Sequence, residues 1–130
     1  MNLAIACTAL LGALVFALGA NVTRERAAAG DGRAQFPTDP ESSLLKAIRA
    51  HGNAAEYVPM LAILMLVVQV REPSTVADIA CAAATGARLV HAGALLGCRS
   101  LAINTAPRSI GAAGTYLAGI ALAVLAFLTL

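Results

Sequence analysis

Charged and aromatic side chains are scarce in this sequence. Only 12% of the 130 residues are charged, 4% are aromatic, and tryptophan is absent. A soluble domain carries about 25% charged residues, so this composition argues against a water-soluble globular protein. Hydrophobic residues make up 59% of the chain, and its mean hydropathy is +0.79. The composition therefore indicates a protein whose solvent is a lipid bilayer.

Long stretches without any charge lie at both ends of the chain. Residues 1–23 and 109–130 contain no Asp, Glu, Lys or Arg, and each meets the roughly 20 apolar residues that a helix needs to cross a bilayer. Two further apolar stretches, 57–70 and 79–98, lie between them, and the second contains one charge, Arg88. We predict an all-α integral membrane four-helix bundle that forms a single domain. Its helices are predicted at residues 2–23, 43–71, 75–98 and 107–130 of the domain 1–130.

Basic residues are concentrated between the first and second spans. Five of the nine lie there, namely Arg24, Arg26, Arg33, Lys46 and Arg49. Because cytoplasmic loops are enriched in Lys and Arg, this segment is predicted to be cytoplasmic and both termini to face outward. The first span lacks the basic start of a signal peptide, and we predict that it is a retained helix. With a net charge of only +2, no nucleic-acid partner is expected.

Patterns for metal binding or cross-linking are absent from the sequence. Cys7, Cys81 and Cys98 are far apart and form no CxxC or Cys/His spacing. His51 and His91 have no metal-ligand pattern either. The sequence predicts neither a metal site nor a disulfide framework.

Small residues recur in every span, and Gly93 and Gly97 form a GxxxG pattern. This pattern lets transmembrane helices approach closely. It serves packing inside one chain as well as contact between chains, so the sequence leaves both interpretations open.

One face of the second helix carries a cation, an amide and a carboxylate. Arg49, Asn53 and Glu56 are spaced i, i+4, i+7, which places them on one side of a helix. Glu56 and Arg88 lie at similar depths, roughly 8 to 10 Å beneath the cytoplasmic surface. Because lone charges are disfavoured in lipid, we predict that both face the bundle interior and interact, directly or through a network. The alternative is an ion pair that only fixes helix register.

Further polar residues lie near this depth on the other helices. Pro107 suits the first turn of a helix, so Arg108 is predicted at a helix N-terminus, where it holds an anion or anchors the helix at the interface. His91 either extends the polar network or packs in the core. Tyr57 is a better site candidate than Tyr116, because it neighbours Glu56.

Residues 49–59 read RAHGNAAEYVP, which resembles the R-A-x-x-N-x-x-E-Y-x-P signature of the MAPEG family, membrane-associated proteins in eicosanoid and glutathione metabolism. Residues 86–91 (GARLVH) resemble the third-helix pattern of that family, and residues 106–109 (APRS) resemble the start of its fourth helix. The resemblance covers essentially the whole chain, and its longest motif is fairly specific.

The resemblance implies a four-helix protomer in a homotrimer, with glutathione as cosubstrate in a cytoplasm-facing cleft between protomers. It implies a role for Arg108 in stabilising the reactive thiolate. It also implies that a set of residues matching the family pattern binds the tripeptide: Arg49, Asn53, Glu56, Tyr57 and Arg88. One departure is Leu95, which stands where several eukaryotic synthases of the family carry a tyrosine.

The leading hypothesis is a small bacterial inner-membrane member that binds glutathione and conjugates or reduces lipophilic electrophiles, in contact with membrane lipid. The alternative is a non-catalytic thiol- or lipid-binding membrane protein, which Leu95 favours. A small four-helix drug exporter is a third class. Its first-helix glutamate and aromatic cage are missing from residues 1–23.

Overall fold

A computed structural model describes residues 3–30, 37–71 and 73–129, which form four α-helices. Each helix is long and apolar enough to cross a membrane. The predicted all-α four-helix membrane bundle is therefore confirmed. The helices are α1 (Leu3–Ala29), α2 (Ser43–Arg71), α3 (Thr75–Gly97) and α4 (Ala106–Phe127).

Hydrogen bonds show which helix ends lie together. The Leu101 N–H, just before α4, donates to the Pro40 carbonyl, just before α2, at 2.9 Å. At the opposite end, Arg71 Nη2 donates to the Thr129 carbonyl at 2.9 Å. The starts of α2 and α4 therefore share one end of the bundle, here called the basic end. It carries Arg24, Arg26, Lys46, Arg49, Arg99 and Arg108.

Helix α1 extends to Ala29, beyond the predicted end at residue 23. The charged residues continue the helix, because arginine and glutamate, like the alanines that follow, are strong helix formers. Gly30, with φ of 75°, follows its end. Residues 31–36 of the predicted connection, including Arg33, lie outside the described residues.

Helices α2 and α3 form the centre of the bundle. They pack against each other, and each also packs against α1 and α4. Among the described residues, α1 and α4 make no packing contact with each other. Apolar side chains on the outer surface, such as Phe16 and Val70, face lipid. The largest fully buried side chains are Arg88, Leu11, Met65, Leu122, Val68, Thr115 and Cys81.

Among the described glycines, the closest contact with another helix is at Gly111 rather than in the GxxxG pattern. A Cβ at Gly111 of α4 would lie 2.7 Å from the backbone nitrogen of His91 on α3. A Cβ at Gly93 or Gly97 would meet no described atom within 4 Å. Packing within the chain therefore does not explain the GxxxG pattern.

Candidate functional site

A polar cavity of about 270 Å³ opens at the basic end of the bundle. Its walls come from α2, α3, α4 and the connection between the last two helices, which places distant parts of the sequence around one space. We call it the polar cavity. Its lining residues are Arg49, Asn53, His91, Leu95, Asn104, Arg108, Ser109, Ala112 and Tyr116.

Arg88 is buried beneath this cavity with only 1% of its surface exposed. Its Nη2 donates to Asn53 Oδ1 at 2.8 Å, and its guanidinium carbon lies 5.4 Å from the centroid of the Tyr57 ring. An amide oxygen and an aromatic face thus stabilise the cation in place of a carboxylate. The Nε of Arg88 has no hydrogen-bond acceptor in the described part of the chain, so the guanidinium keeps an unused donor.

The predicted inward orientation of Glu56 is wrong. Glu56 is exposed, and the ion pair found among the described residues is between Arg24 and Glu25. Successive residues of a helix are rotated by about 100°, so Glu56 and its neighbour Tyr57 point in different directions. The Tyr57 ring faces Arg88. Among the described residues, Arg88 contacts Asn53 and Tyr57 and forms no direct ion pair with Glu56.

Arg108 lies in the first turn of α4, is half-buried, and lines the polar cavity. Its Nη1 donates to the Leu101 carbonyl at 3.0 Å, which holds the side chain against the α3–α4 connection. The backbone carbonyl of Arg108 accepts a hydrogen bond from His91 Nδ1 at 2.9 Å. Asn104 Nδ2 donates to Ser109 Oγ at 2.9 Å across the same turn. The start of α4 is thereby fixed on both sides.

Two tyrosines connect the polar cavity to an apolar one. The hydroxyls of Tyr57 and Tyr116 are 3.3 Å apart, and the ring centroids are 5.7 Å apart. Tyr116 lines both cavities. The second cavity, here called the apolar groove, has a volume of about 400 Å³ and lies between α2 and α4. It is lined by Tyr57, Met60, Leu61, Leu64, Thr115, Tyr116, Gly119, Ile120 and Ala123.

The structure brings together most of the sequence-predicted site residues. Arg49, Asn53 and Arg108 line the polar cavity, Arg88 contacts Asn53 beneath it, and Tyr57 lines the adjoining groove. Glu56 lines neither cavity.

Sequence reasoning missed Tyr116, Asn104 and Ser109 as lining residues. A signal for Tyr116 existed, because Arg108, Ala112 and Tyr116 are spaced four apart and therefore follow one side of α4. Leu95 also lines the polar cavity and is 3% exposed. This chain therefore has no hydroxyl at the position where several family members carry a tyrosine.

The cysteines and the remaining histidine lie elsewhere. Cys7 and Cys81 are buried and Cys98 is half-buried, all as free thiols. His51 packs against α1, where its Nε2 would lie 3.3 Å from a Cβ at Gly19. Within the described ranges, no three His, Cys, Asp or Glu side chains are grouped as metal ligands would be.

Comparisons with known proteins agree with this geometry at the level of the family. Neither a curated protein nor a solved structure matches the sequence. The family model for the MAPEG family matches residues 4–128, nearly the full chain. This match places the chain among membrane-associated proteins of glutathione and eicosanoid metabolism in general. The chain belongs to the MAPEG family.

Proposed function

We propose that this protein binds glutathione in the polar cavity and transfers it to lipophilic electrophiles, or uses it to reduce them, at the cytoplasmic face of a bacterial inner membrane. The observation that carries the proposal is the junction of two unlike cavities. A cationic polar cavity and an apolar groove meet at Tyr116. A polar thiol and a lipophilic acceptor could therefore bind side by side.

The cationic groups suit the chemistry of glutathione, which carries two carboxylates. Arginine binds carboxylates through paired, charge-assisted hydrogen bonds. Arg49 lines the cavity, and Arg88 below it retains a buried donor without an acceptor. A carboxylate in the cavity would reach Arg49 and Asn53, and Arg88 would hold the Asn53 amide in position from below.

Arg108 is the proposed catalytic residue, acting on the thiol group. It lies in the first turn of α4, where the free N–H groups of a helix start favour negative charge. A guanidinium beside that helix start would lower the energy of a thiolate relative to the thiol, which supplies the nucleophile. The side-chain hydrogen bond to Leu101 holds the guanidinium in place for this role.

The apolar groove is the proposed site of the lipophilic substrate. Its residues lie on the membrane-spanning parts of α2 and α4, so a hydrophobic molecule could enter from the bilayer. Tyr116 would then contact both reactants. Transfer across Tyr116 needs no passage of the lipophilic molecule through water.

A homotrimer and an outward orientation of both termini complete the proposal. Exposed Glu56 and the uncovered Gly93 and Gly97 leave polar and small residues on the outside of one protomer, where a neighbouring protomer would cover them. The excess of arginine and lysine at the basic end supports its placement in the cytoplasm. Both chain ends would then face outward.

Leu95 supports a second candidate function, a thiol- or lipid-binding membrane protein without turnover. Its apolar side chain lies in the wall of the polar cavity and brings no group that could act on a thiol. Such a protein would bind glutathione through Arg49, Asn53 and Arg88 and release it unchanged.

Glutathione titration of the purified protein in lipid nanodiscs, followed by an assay with a model electrophile, tests the proposal. We expect Arg49→Ala to weaken glutathione binding about tenfold or more, as for a lost charge-assisted hydrogen bond. Arg108→Ala should retain binding and lose turnover. Arg99→Ala is the matched control, because Arg99 is an exposed arginine at the same end that lines neither cavity.

The outcomes separate the candidates. Absence of glutathione binding by the wild type would contradict the proposal. Binding that depends on Arg49 but gives no turnover would favour the second candidate. Equal losses in Arg49→Ala and Arg99→Ala would indicate a general charge effect rather than a site.

A further inference from the structure

His91 is held in one defined protonation pattern by the backbone of α4. Its Nδ1 lies 2.9 Å from the Arg108 carbonyl oxygen, and a carbonyl oxygen can only accept. Nδ1 therefore carries the proton, and in the neutral ring Nε2 is left with a lone pair. The residue is 7% exposed and lines the polar cavity.

The position of this histidine is fixed by packing as well as by hydrogen bonding. A Cβ at Gly111 would lie 2.7 Å from His91 Cβ and 2.8 Å from its Cα. The glycine thus lets α4 lie directly against the backbone of His91. The ring is held at the cavity wall by a bond one turn before Gly111 and by this close contact.

The polar cavity needs a group that can take up a proton, and His91 is the lining residue with that property. The other titratable residues that line it are Arg49, Arg108 and Tyr116. Arginine has no acceptor, and a neutral tyrosine hydroxyl is a very weak base. No carboxylate is among the lining residues. Nε2 of His91 forms no hydrogen bond among the described residues, so its lone pair is free for a ligand.

We propose that His91 is the catalytic base of this site and accepts the thiol proton at Nε2 while Arg108 stabilises the thiolate. This inference rests on the proposed function, and it assigns the step that Arg108 is unable to perform, because a guanidinium is already protonated. The Nδ1 hydrogen bond to the Arg108 carbonyl would couple the two residues. It would orient the ring, as a hydrogen-bonded second nitrogen does in other catalytic histidines.

The reaction needs no proton or electron beyond those of glutathione, the electrophile and the imidazole. The S–H bond breaks, and its proton goes to Nε2, giving an imidazolium and a thiolate. When the thiolate adds to the activated double bond of an α,β-unsaturated carbonyl compound, the S–C bond forms and the π electron pair moves toward the carbonyl. The adjacent carbon then takes the proton back from Nε2, which restores the neutral ring.

Two substitutions separate a base from a positioning role. His91→Asn retains a side-chain N–H at the place of Nδ1 and loses the acceptor at Nε2. His91→Gln extends an amide toward the place of Nε2 and loses the donor to Arg108. His51→Asn is the matched control, because His51 packs on α1 and lines neither cavity.

The measurements are affinity for glutathione and for S-methylglutathione, ultraviolet absorbance of the bound thiolate, and the single-turnover rate with an α,β-unsaturated aldehyde. S-methylglutathione has no thiol proton, so its binding reports the site without the base. We expect His91→Asn to bind S-methylglutathione within about twofold of wild type. Its single-turnover rate should fall about 10²- to 10⁴-fold, the range for loss of a general base, and its thiolate signal should fall below that of the wild type.

Other results would overturn the assignment. Full thiolate signal and rate in His91→Asn would show that water takes the proton. A loss confined to His91→Gln would show that His91 only positions Arg108, and weak S-methylglutathione binding by His91→Asn would show a binding role. Absence of S-methylglutathione binding by the wild type would mean that the proposed function itself has failed.

A measurement on the wild type keeps the test decisive if His91→Asn does not fold. Titration with glutathione in two buffers of different ionisation enthalpy gives the number of protons released to solution. If His91 retains the thiol proton, fewer protons are released than thiolates formed. Release of one proton for each thiolate would contradict the assignment.

Discussion

The buried side chains at the two ends of this bundle differ in chemical character. Toward the Arg71 end, the core consists of apolar side chains such as Leu11, Met65 and Leu122, each with almost no exposed surface. At the basic end the chain buries Arg88 and His91 beside an open polar cavity. Apolar packing stabilises the first region, whereas polar burial in the second costs free energy. The difference indicates that the basic end is organised for binding rather than for stability.

Truncation of the apolar core should have the largest effect on stability. Leu122→Ala removes a side chain with 0% exposure, and we expect it to destabilise the protein by about 2–5 kcal/mol, the range for large-to-small core substitutions. Leu117→Ala is the matched control on the same helix, because Leu117 is 71% exposed. Chemical denaturation in detergent compares them. Equal destabilisation by the two variants would contradict the packing described for α4.

Replacement of the buried arginine should reduce glutathione affinity more than it reduces stability. Arg88→Met removes the donor that holds Asn53 at the cavity wall, and we expect glutathione affinity to fall about tenfold, the equivalent of one lost hydrogen bond. Stability should change less than in Leu122→Ala, because the substitution removes the cost of burying a charge and leaves only the half-buried Asn53 amide without its donor.

Arg99→Met is the control for this variant, since Arg99 is exposed at the same end. A large loss of stability with unchanged glutathione affinity would show that Arg88 only fixes helix register. That result would remove the distinction between the two ends.

The close approach of α3 and α4 should tolerate no added methyl group. Gly111→Ala places a Cβ 2.7 Å from the His91 backbone, and we expect a loss of about 1–3 kcal/mol from overpacking. Gly86→Ala, at a position with nothing within 4 Å, should stabilise the helix by up to about 1 kcal/mol. Thermal unfolding of both variants measures this difference. A stable Gly111→Ala protein would contradict the close contact.

The smallest effect is expected at the junction of the two cavities. Tyr116→Phe removes the hydroxyl that lies 3.3 Å from Tyr57 and leaves the ring in place. We expect a loss of about 0.5–1.5 kcal/mol in the binding of a polar-headed lipophilic substrate, the usual net contribution of one hydrogen bond. Binding of a fully apolar analogue serves as the internal control, because it makes no hydrogen bond with the hydroxyl. Unchanged binding of the polar-headed substrate would contradict the proposed role of Tyr116 at the junction.

The sequence predicted the four helices, because their existence follows from the length of the apolar stretches. The predicted end of α1 at residue 23 is too early, because Arg24 and Glu25 are good helix formers and the helix continues to Ala29. Hydropathy falls where the charged residues begin at Arg24, but the helix itself continues to Ala29.

The orientation of side chains around a helix was harder to predict. Asn53, Glu56 and Tyr57 lie within about one turn, and the sequence alone does not specify which of them faces α3. Charge complementarity favoured Glu56, whereas Arg88 contacts Asn53 and the Tyr57 ring. The spacing places Tyr116 on the same side of α4 as Arg108, whereas its contact with Tyr57 depends on how α4 packs against α2.

The most direct test of the proposed role of the basic end is an experimental structure of the full-length protein in lipid with saturating glutathione. We predict density for the tripeptide in the polar cavity, with a carboxylate within hydrogen-bond distance of the Arg49 guanidinium and the sulfur near Arg108 and His91. Glutathione bound outside this cavity, or a cavity empty at saturation, would contradict the account.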